Sequence, residues 1–229
     1  LIFQAMDAAG KDSTIKHVMS GLDPQGSQVS AFKAPSAEEL AHDFLWRTTL
    51  RLPPRGHIGV FNRSYYEEVL VVRVHPEILG AQRLPPAVTS KRIWSERFED
   101  ITCFERHLAR SGVVVLKFFL HVSKEEQRKR FRERLDTPSK NWKFSTGDVR
   151  ERDHWREYMD AYEDMIRHTA TPEAPWFVVP ADHKWFTRLV VADAVVDAMK
   201  RLDLHFPTVD RTQKKTLEAA RAVLVRKDK

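Results

Sequence analysis

A carboxylate and a lysine lie on either side of three small residues near the start of the chain. Asp7 precedes Ala8, Ala9 and Gly10, and Lys11 follows them. Small residues let backbone N–H groups approach phosphate oxygens, and the N-terminus of a following helix adds positive potential there. Lys11 would supply a point charge. This spacing predicts a phosphate-binding loop, with a tight strand-to-helix turn and a solvated lysine as the alternative.

The loop departs from the G-x-x-x-x-G-K-[ST] pattern at two positions. Ala5 stands where the pattern has Gly, and Asp12 stands where it has Ser or Thr. Asp7 would repel phosphate unless a metal ion lies between them, and Mg²⁺ is commonly bound by one or two carboxylates together with substrate phosphates. We therefore expect Asp7 to hold Mg²⁺, directly or through water, with Mn²⁺ as a substitute.

Polar residues follow directly after a second apolar run. Residues 57–61 are suited to a buried parallel strand, and Asn62, Arg63 and Glu67 come after it. In doubly wound sheets, ligands bind beyond the carboxyl ends of the strands. We therefore expect these side chains to share one crevice with Asp7 and Lys11. A surface arginine that caps a loop is the alternative for Arg63.

The positive charge of the chain is concentrated in one segment. The chain has 229 residues and a net charge of +6, and residues 128–143 carry seven basic and two acidic residues. Ser123 is a plausible N-cap for a helix that begins at Lys124. Local basicity next to a phosphate loop indicates contact with an anion, whereas a solvated charged hairpin would be expected to have mixed signs.

Alternating apolar runs and helical periods predict the fold class. We expect a three-layer α/β/α fold with a five-stranded parallel sheet, in one domain over residues 1–229. A helical lid is predicted at about residues 124–156 and a helical tail at 207–229. Single helices are expected over residues 37–50 and 148–167, and a strand over residues 113–120.

Composition limits the environment of the protein. No run approaches the ~18 apolar residues of a membrane span, and no signal peptide is recognised. Cys103 is the only cysteine, which excludes an intramolecular disulfide framework and fits a reducing compartment. We expect a cytoplasmic protein without a membrane partner. Because the chain starts inside a strand, we also expect residues to precede Leu1 in the full protein.

Several long motifs resemble the polyphosphate kinase 2 family. They are QAMDAAGKDSTIKHVMSGLDPQG, FKAPSAEELAHDFLWR, GVFNRSYYEEVLVVRVHPE, NWKF and APWFVVPADHKWFTRL. The resemblance extends from Leu1 to about Leu202. It implies reversible phosphoryl transfer between inorganic polyphosphate and adenine or guanine nucleotides, with Mg²⁺, on a P-loop kinase-like fold. Polyphosphate and nucleotides are thus the implied partners, and a homo-oligomer without nucleic acid is expected.

The resemblance also implies roles for individual residues. The catalytic residues would be Asp7, Lys11 and Arg63. The residues that bind phosphate or nucleotide would be Ala8, Ala9, Gly10, Asp12, Asn62, Glu67 and Arg73. The residues of the lid that bind polyphosphate would be Arg128, Arg132, Lys140 and Lys143. Many members have Asp at the position of Asn62, so metal binding here would fall to Asp7, with Glu67 as a second candidate.

Three functional hypotheses stay open at this point. The run from Tyr65 to His75 resembles the members that accept nucleoside monophosphates or both mono- and diphosphates, which favours AMP and ADP as acceptors. An ATP-dependent nucleotide or small-molecule kinase would share the fold, but it has less need for a basic lid. A module that binds single-stranded nucleic acid would use Trp142 and Phe144 for stacking, but it would not explain Asp7 beside Lys11.

Overall fold

The computed structural model describes residues 1–227, apart from the side chains of residues 143, 226 and 227. A five-stranded sheet, parallel at every pairing, runs in the order β2-β3-β1-β4-β5. Its strands are β1 Ile2–Gln4, β2 Ser27–Ala31, β3 Ile58–Asn62, β4 Lys117–His121 and β5 Trp176–Pro180. The predicted α/β fold with a five-stranded parallel sheet is confirmed.

Helices connect the strands and continue after the last strand. The α-helices are α1 Lys11–Val18, α2 Ala37–Leu40, α3 Trp46–Thr49, α4 Val71–Val74, α5 Pro76–Ala81, α6 Ile93–Arg110, α7 Lys124–Asp136, α8 Thr146–Arg150, α9 Trp155–Thr169, α10 Lys184–Arg201 and α11 Arg211–Lys227. Leu1–Asp193 forms one compact unit, and a second begins at Ala194. The domain and lid boundaries given above stay predictions. Within residues 1–227, no helix is both long and apolar enough to cross a membrane.

The centre of the sheet forms the core and sets the position of the crevice. β1 pairs with β3 on one side and with β4 on the other. Phe3 stacks on Phe118 with 5.0 Å between ring centroids, and Phe118 stacks on Phe177 at 5.3 Å. The connection after β1 leads to β2 on one side of the sheet, and the connection after β3 leads to β4 on the other side. Because of this reversal, the carboxyl ends of β1 and β3 border a crevice suited to ligands.

The single helix predicted for residues 37–50 is wrong. The segment instead forms α2 and α3, separated by a turn. Ser36 and Glu39 form the predicted capping box at the start of α2. Asp43 then accepts a hydrogen bond from the backbone N–H of Leu45 at 3.0 Å. Asp competes for backbone donors in this way, and the competition interrupts the helical ladder.

Two further boundaries differ from prediction. Residues 148–167 do not form one helix, because α8 ends at Arg150 and a 3₁₀ turn, Glu151–His154, precedes α9. The strand predicted for residues 113–120 begins only at Lys117. Val114 is about half exposed, and the backbone N–H of Val113 bonds back to Leu108 at the end of α6. Apolar composition therefore overstated the length of this strand.

A buried polar cluster ties α6 to the sheet. The Lys117 ammonium donates to Glu105 Oε2 at 2.5 Å, to the Tyr66 hydroxyl at 2.9 Å and to the carbonyl of Thr169 at 2.8 Å. The hydroxyls of Tyr65 and Tyr66 both donate to Glu105 Oε1 at 2.7 Å. Lys117 and Glu105 are almost completely buried. The polar groups of the cluster satisfy one another's hydrogen bonds. Because Tyr65 and Tyr66 belong to the segment after β3, these bonds hold that segment against the core.

Candidate active site

The loop between β1 and α1 has the backbone geometry of a phosphate cradle. Ala8 adopts a left-handed conformation with φ of 59°, and Gly10 has φ of 106°. A Cβ on Gly10 would also come within 3.3 Å of Ser13 Oγ. A left-handed non-glycine residue costs of order 1–3 kcal/mol and persists where its surroundings fix it, often at functional sites. The path of the loop therefore favours glycine at position 10.

Lys11 lies folded against the loop that precedes it. Its ammonium donates to the carbonyl of Ala5 at 2.7 Å and to that of Met6 at 3.4 Å. The pKa of Lys11 is lowered to about 8, mainly by burial and then by the positive charge of Arg63, while Asp7 acts in the opposite direction. The direct hydrogen-bond partners of the ammonium are neutral carbonyls. The ammonium can therefore still gain from an anionic ligand.

Arg63 lies between two carboxylates at the end of β3. Its Nη2 donates to Asp7 Oδ1 at 2.7 Å, and its Nη1 donates to Glu67 Oε2 at 2.9 Å. Arg63 has φ of 65°, and its backbone N–H donates to the carbonyl of Phe3 at 3.0 Å. The carboxylate of Glu67 is the main cause that raises the pKa of Arg63. The structure thus joins Asp7, which follows β1, to Arg63 and Glu67, which follow β3.

Gln4 supports this constellation from inside the sheet, and sequence analysis missed it. The side chain is fully buried on β1. In the amide orientation that satisfies both ends, its nitrogen donates to Glu67 Oε1 at 2.8 Å and its oxygen accepts from Ser64. A polar residue within the apolar run of β1 was the signal available in the sequence. Gln4 fixes the carboxylate of Glu67 that in turn faces Arg63.

Asn62 and Asp12 form a separate pair beside the loop. The amide nitrogen of Asn62 donates to Asp12 Oδ1 at 2.5 Å. A carboxylate at position 62 could not donate and would repel Asp12, so the amide suits this partner. The pair joins the end of β3 to the first turn of α1. Its predicted role in binding nucleotide or phosphate stays a prediction.

Arg130 clamps the loop from the lid helix α7. Its guanidinium donates to the carbonyls of Ala8 and Ala9 at 3.1 and 2.8 Å, and to those of Ala181 and Asp182 at 2.7 and 3.0 Å. Carbonyls held toward α7 cannot face a phosphate. From the sequence, Arg130 was only one of the seven basic residues of segment 128–143. Its position next to Phe131, on the same helical face as Gln127, was the signal that it points inward.

The predicted lid cations lie elsewhere on α7 and beyond it. Arg128 and Arg132 are exposed and four residues apart, and Lys140 is also exposed. The side chain of Lys143 lies outside the described part of the chain. Arg73 contacts α9, where its Nη2 donates to Asp164 Oδ2 at 2.6 Å. Among the described residues, Arg73 Nη1 is buried and has no hydrogen-bond partner. Binding of polyphosphate by the lid and of nucleotide by Arg73 stay predictions.

The lid also directs a carboxylate at the loop. Asp148 on α8 lies 3.6 Å from Arg134. Its pKa is raised by burial and then by the negative charge of Asp7, while Arg134, Arg63 and Lys11 oppose the shift. Asp148 is therefore within the electrostatic field of the loop, although the sequence did not identify it. The described residues contain no cluster of three or more side chains able to hold a metal ion.

Comparisons with known proteins agree on one family. Residues 1–207 match the family model for polyphosphate kinase 2. The chain is 53% identical over 227 residues to the ADP-polyphosphate phosphotransferase of Rhodopseudomonas palustris, covering 99% of this chain and 78% of that protein. It is 44% identical over 215 residues to the AMP/ADP-polyphosphate phosphotransferase of Meiothermus ruber, covering 94% and 76%.

A solved structure agrees with the sequence relatives. The crystal structure of polyphosphate kinase 2 from Arthrobacter aurescens TC1 superposes with a TM-score of 0.86 at 43% identity, covering 96% of this chain and 74% of that one. The phosphate loop, the guanidinium between two carboxylates and the basic lid lie within the matched region. The chain belongs to the polyphosphate kinase 2 family of polyphosphate-dependent nucleotide phosphotransferases.

Proposed function

We propose that the chain phosphorylates AMP to ADP and then ADP to ATP, with inorganic polyphosphate as the donor and Mg²⁺ bound at Asp7. The observation that carries the proposal is Arg63, held between Asp7 and Glu67 beside the loop. The relative from Meiothermus ruber is named for both acceptors, and that from Rhodopseudomonas palustris for ADP. Guanine nucleotides are further candidate acceptors.

The residues of the chain account for positioning and charge. Phosphoryl transfer depends mainly on alignment and on stabilisation of negative charge. Lys11 supplies one cation at the loop, and Arg63 presents a planar fork that suits phosphate oxygens. When Arg63 turns to phosphate, Asp7 is released from its 2.7 Å ion pair. That exchange frees the carboxylate for a metal ion.

The donor set fits Mg²⁺. This ion is usually bound by one or two carboxylates together with substrate phosphates and water, so a single loop carboxylate is sufficient on the protein side. Asp7 would hold the ion, and Mn²⁺ could replace it. When bound, the ion would neutralise phosphate charge. Asn62 has no charge to offer and is already paired with Asp12.

A time course with AMP, long-chain polyphosphate and Mg²⁺ tests the proposal. We expect ADP to appear first and ATP to follow. A reaction that stops at ADP would exclude the two-step proposal, and transfer from ATP without polyphosphate would favour an ATP-dependent kinase. Single-stranded DNA in the same assay should not compete with polyphosphate; strong competition would favour a nucleic-acid-binding module.

We also propose a cytoplasmic homo-oligomer. Nucleotides and a lone cysteine, Cys103, suit a reducing compartment. Leu217 and Leu224 on α11 are 59% and 66% exposed and lie seven residues apart, on one helical face. A second copy of the chain would cover such a face. Light scattering of the purified protein tests this, and a monomer at micromolar concentration would contradict it.

A further inference from the structure

The side chain of Gln127 joins the phosphate loop to the 3₁₀ turn Glu151–His154, the far arm of the lid. Gln127 lies in the first turns of α7 and is 1% exposed. Its amide nitrogen donates to the backbone carbonyl of Asp7 at 2.9 Å. Its amide oxygen accepts from Arg152 Nη1 at 2.5 Å, and the same nitrogen of Arg152 also donates to the carbonyl of Lys124 at 3.1 Å. Both ends of the amide are therefore engaged.

Arg152 fixes which way the Gln127 amide points. A guanidinium can only donate hydrogen bonds, so the amide oxygen must face Arg152. The amide nitrogen is then left to face the carbonyl of Asp7. The Asp7 carbonyl can only accept and favours the same orientation, so a flipped amide would face an unsuitable partner at both ends. Arg152 thereby strengthens a contact that it does not itself make.

The contact controls the orientation of one peptide group in the loop. The peptide unit is planar and trans, so its carbonyl and its N–H point in opposite directions. Holding the Asp7 carbonyl toward α7 directs the N–H of Ala8 away from α7. Ala8 is also the non-glycine residue of the loop in a left-handed conformation. A strained peptide with one defined orientation needs such a partner.

Arg152 lies in the 3₁₀ turn Glu151–His154. This turn also contacts the segment that follows β3, through Glu151 and His75. Glu151 Oε2 accepts from the Tyr158 hydroxyl at 2.7 Å and lies 2.9 Å from His75 Nε2. His75 ends α4, in the segment that follows β3 and Arg63. Adjacent residues of this turn thus contact both walls of the site.

We propose that Gln127 and Arg152 are a positioning pair that couples the far arm of the lid to the Asp7–Ala8 peptide. The proposal rests on the proposed function, because its consequence is measured in phosphoryl transfer. Neither side chain is required to touch substrate. Their effect is expected on the rate of turnover more than on nucleotide affinity, since the contact orients the loop and leaves the acceptor's own contacts in place.

Gln127→Glu separates the two contacts. The carboxylate still accepts from Arg152, but it cannot donate to the Asp7 carbonyl. We expect kcat to fall about tenfold, the equivalent of about 1.4 kcal/mol, with less than about a twofold change in the KM for nucleotide. Arg152→Met should lower kcat by about threefold, and Arg152→Lys should recover part of the loss because lysine can still donate.

A double-mutant cycle provides the decisive measurement. In a Gln127→Leu background, adding Arg152→Met should cause no further loss of kcat, because Arg152 acts through Gln127. Multiplying losses would overturn the proposal. Arg156→Met, four residues along and exposed, is the matched control and should retain the wild-type rate. Thermal unfolding of every variant separates loss of rate from loss of fold.

The outcomes distinguish this proposal from the proposed function. If the wild-type enzyme transfers phosphate only from ATP, the proposed donor is wrong, and the same cycle is run with ATP to test the coupling. If Gln127→Leu does not fold, Arg152→Met alone decides. Equal kcat values for Arg152→Met and the Arg156→Met control would overturn the coupling, whatever the donor.

Discussion

Two lysines next to neighbouring strands meet opposite environments. Lys117 begins β4 and pairs in register with Ile2 of β1, whereas Lys11 follows the end of β1. Lys117 donates to a carboxylate, a hydroxyl and a carbonyl, all buried. Lys11 donates to two loop carbonyls, and the nearby guanidinium of Arg63 acts against its charge.

The difference separates a structural cluster from a binding site. Around Lys117 the hydrogen-bonding groups satisfy one another, and burial lowers the pKa of Lys117 while raising that of Glu105. Around Lys11, the ammonium contacts neutral carbonyls, and burial together with Arg63 disfavours its charge more than Asp7, Glu67 and Asp12 favour it. The cluster around Lys117, in which every charge has a partner, stabilises the fold. At Lys11 the charged form is disfavoured, and binding of an anion would reduce that free-energy cost.

Disrupting the buried cluster of Lys117 and Glu105 should produce the largest change in stability. Lys117→Met leaves the buried Glu105 without its counter-charge, and we expect the free energy of unfolding to fall by about 3–5 kcal/mol. Urea denaturation measures this loss. The folded fraction should keep near-normal kcat, because Lys117 lies outside the phosphate loop.

Glu105→Gln in the Lys117→Met background sharpens the test. The amide oxygen can still accept from Tyr65 and Tyr66, and no buried charge remains. Much of the lost stability should return, since a matched neutral replacement of a buried ion pair is often nearly neutral. A double variant as unstable as the single one would show that the stability loss does not come from an unpaired charge.

Disrupting the active site at Lys11 should lower activity, whereas disrupting the Lys117 cluster lowers stability. Lys11→Met removes the charge beside the loop, and we expect kcat/KM for polyphosphate and nucleotide to fall by about 10²–10³-fold. Steady-state kinetics measures this effect. Lys16→Met, an exposed lysine of the same helix, provides the control. A loss of only a few-fold for Lys11→Met would remove this lysine from the site.

The same variant should be more stable than the wild type in the absence of ligand. The pKa of Lys11 is lowered to about 8 in the folded state, against ~10.4 for an unperturbed lysine. The unfolded chain therefore binds more protons between these values, and wild-type stability rises with pH across that window. Lys11→Met should exceed wild-type stability by up to about 3 kcal/mol at pH 7.

That margin should shrink as the pH rises from about 8 toward 10.5, because Lys11 becomes neutral in both states. Urea denaturation of both proteins at pH 7, 8.5 and 10 measures the difference. A margin that is constant with pH, or one that grows, would show that burial does not disfavour the charged form of Lys11. Addition of polyphosphate should reverse the ranking by stabilising the wild type alone.

Topology made part of the site predictable from the sequence. Apolar runs identified β1 and β3, and the rule for strand ends then placed Asp7 and Arg63 on one crevice, where a 2.7 Å contact joins them. Ser123 caps α7 as predicted. These inferences depend on local composition and on chain direction, which the sequence expresses directly. The functional roles of the two residues stay predictions.

Inward-pointing polar residues were not predictable in the same way. Arg130 and Gln127 lie in a helix so rich in charge that composition alone placed them at the surface. Their partners include backbone carbonyls of the loop that are more than 100 residues away, and a carbonyl has no signature in the sequence. The break between α2 and α3 was also missed. The apolar spacing of residues 37–50 predicts a continuous helix, and the single hydrogen bond from Leu45 to Asp43 that interrupts it leaves that spacing unchanged.

The smallest expected effect lies on the exposed face of the lid. Arg132 and Lys140 are exposed, so each contributes a screened interaction with an extended anion. Arg132→Ala and Lys140→Ala should each raise the KM for long-chain polyphosphate by about two- to fivefold, with a smaller change in the KM for nucleotide. The difference should fade at high salt, because the Debye length shortens to about 3 Å at 1 M. Arg110→Ala, at the end of α6, serves as the control. Equal shifts in both KM values would mean that these cations act on the fold of the lid and do not contact polyphosphate.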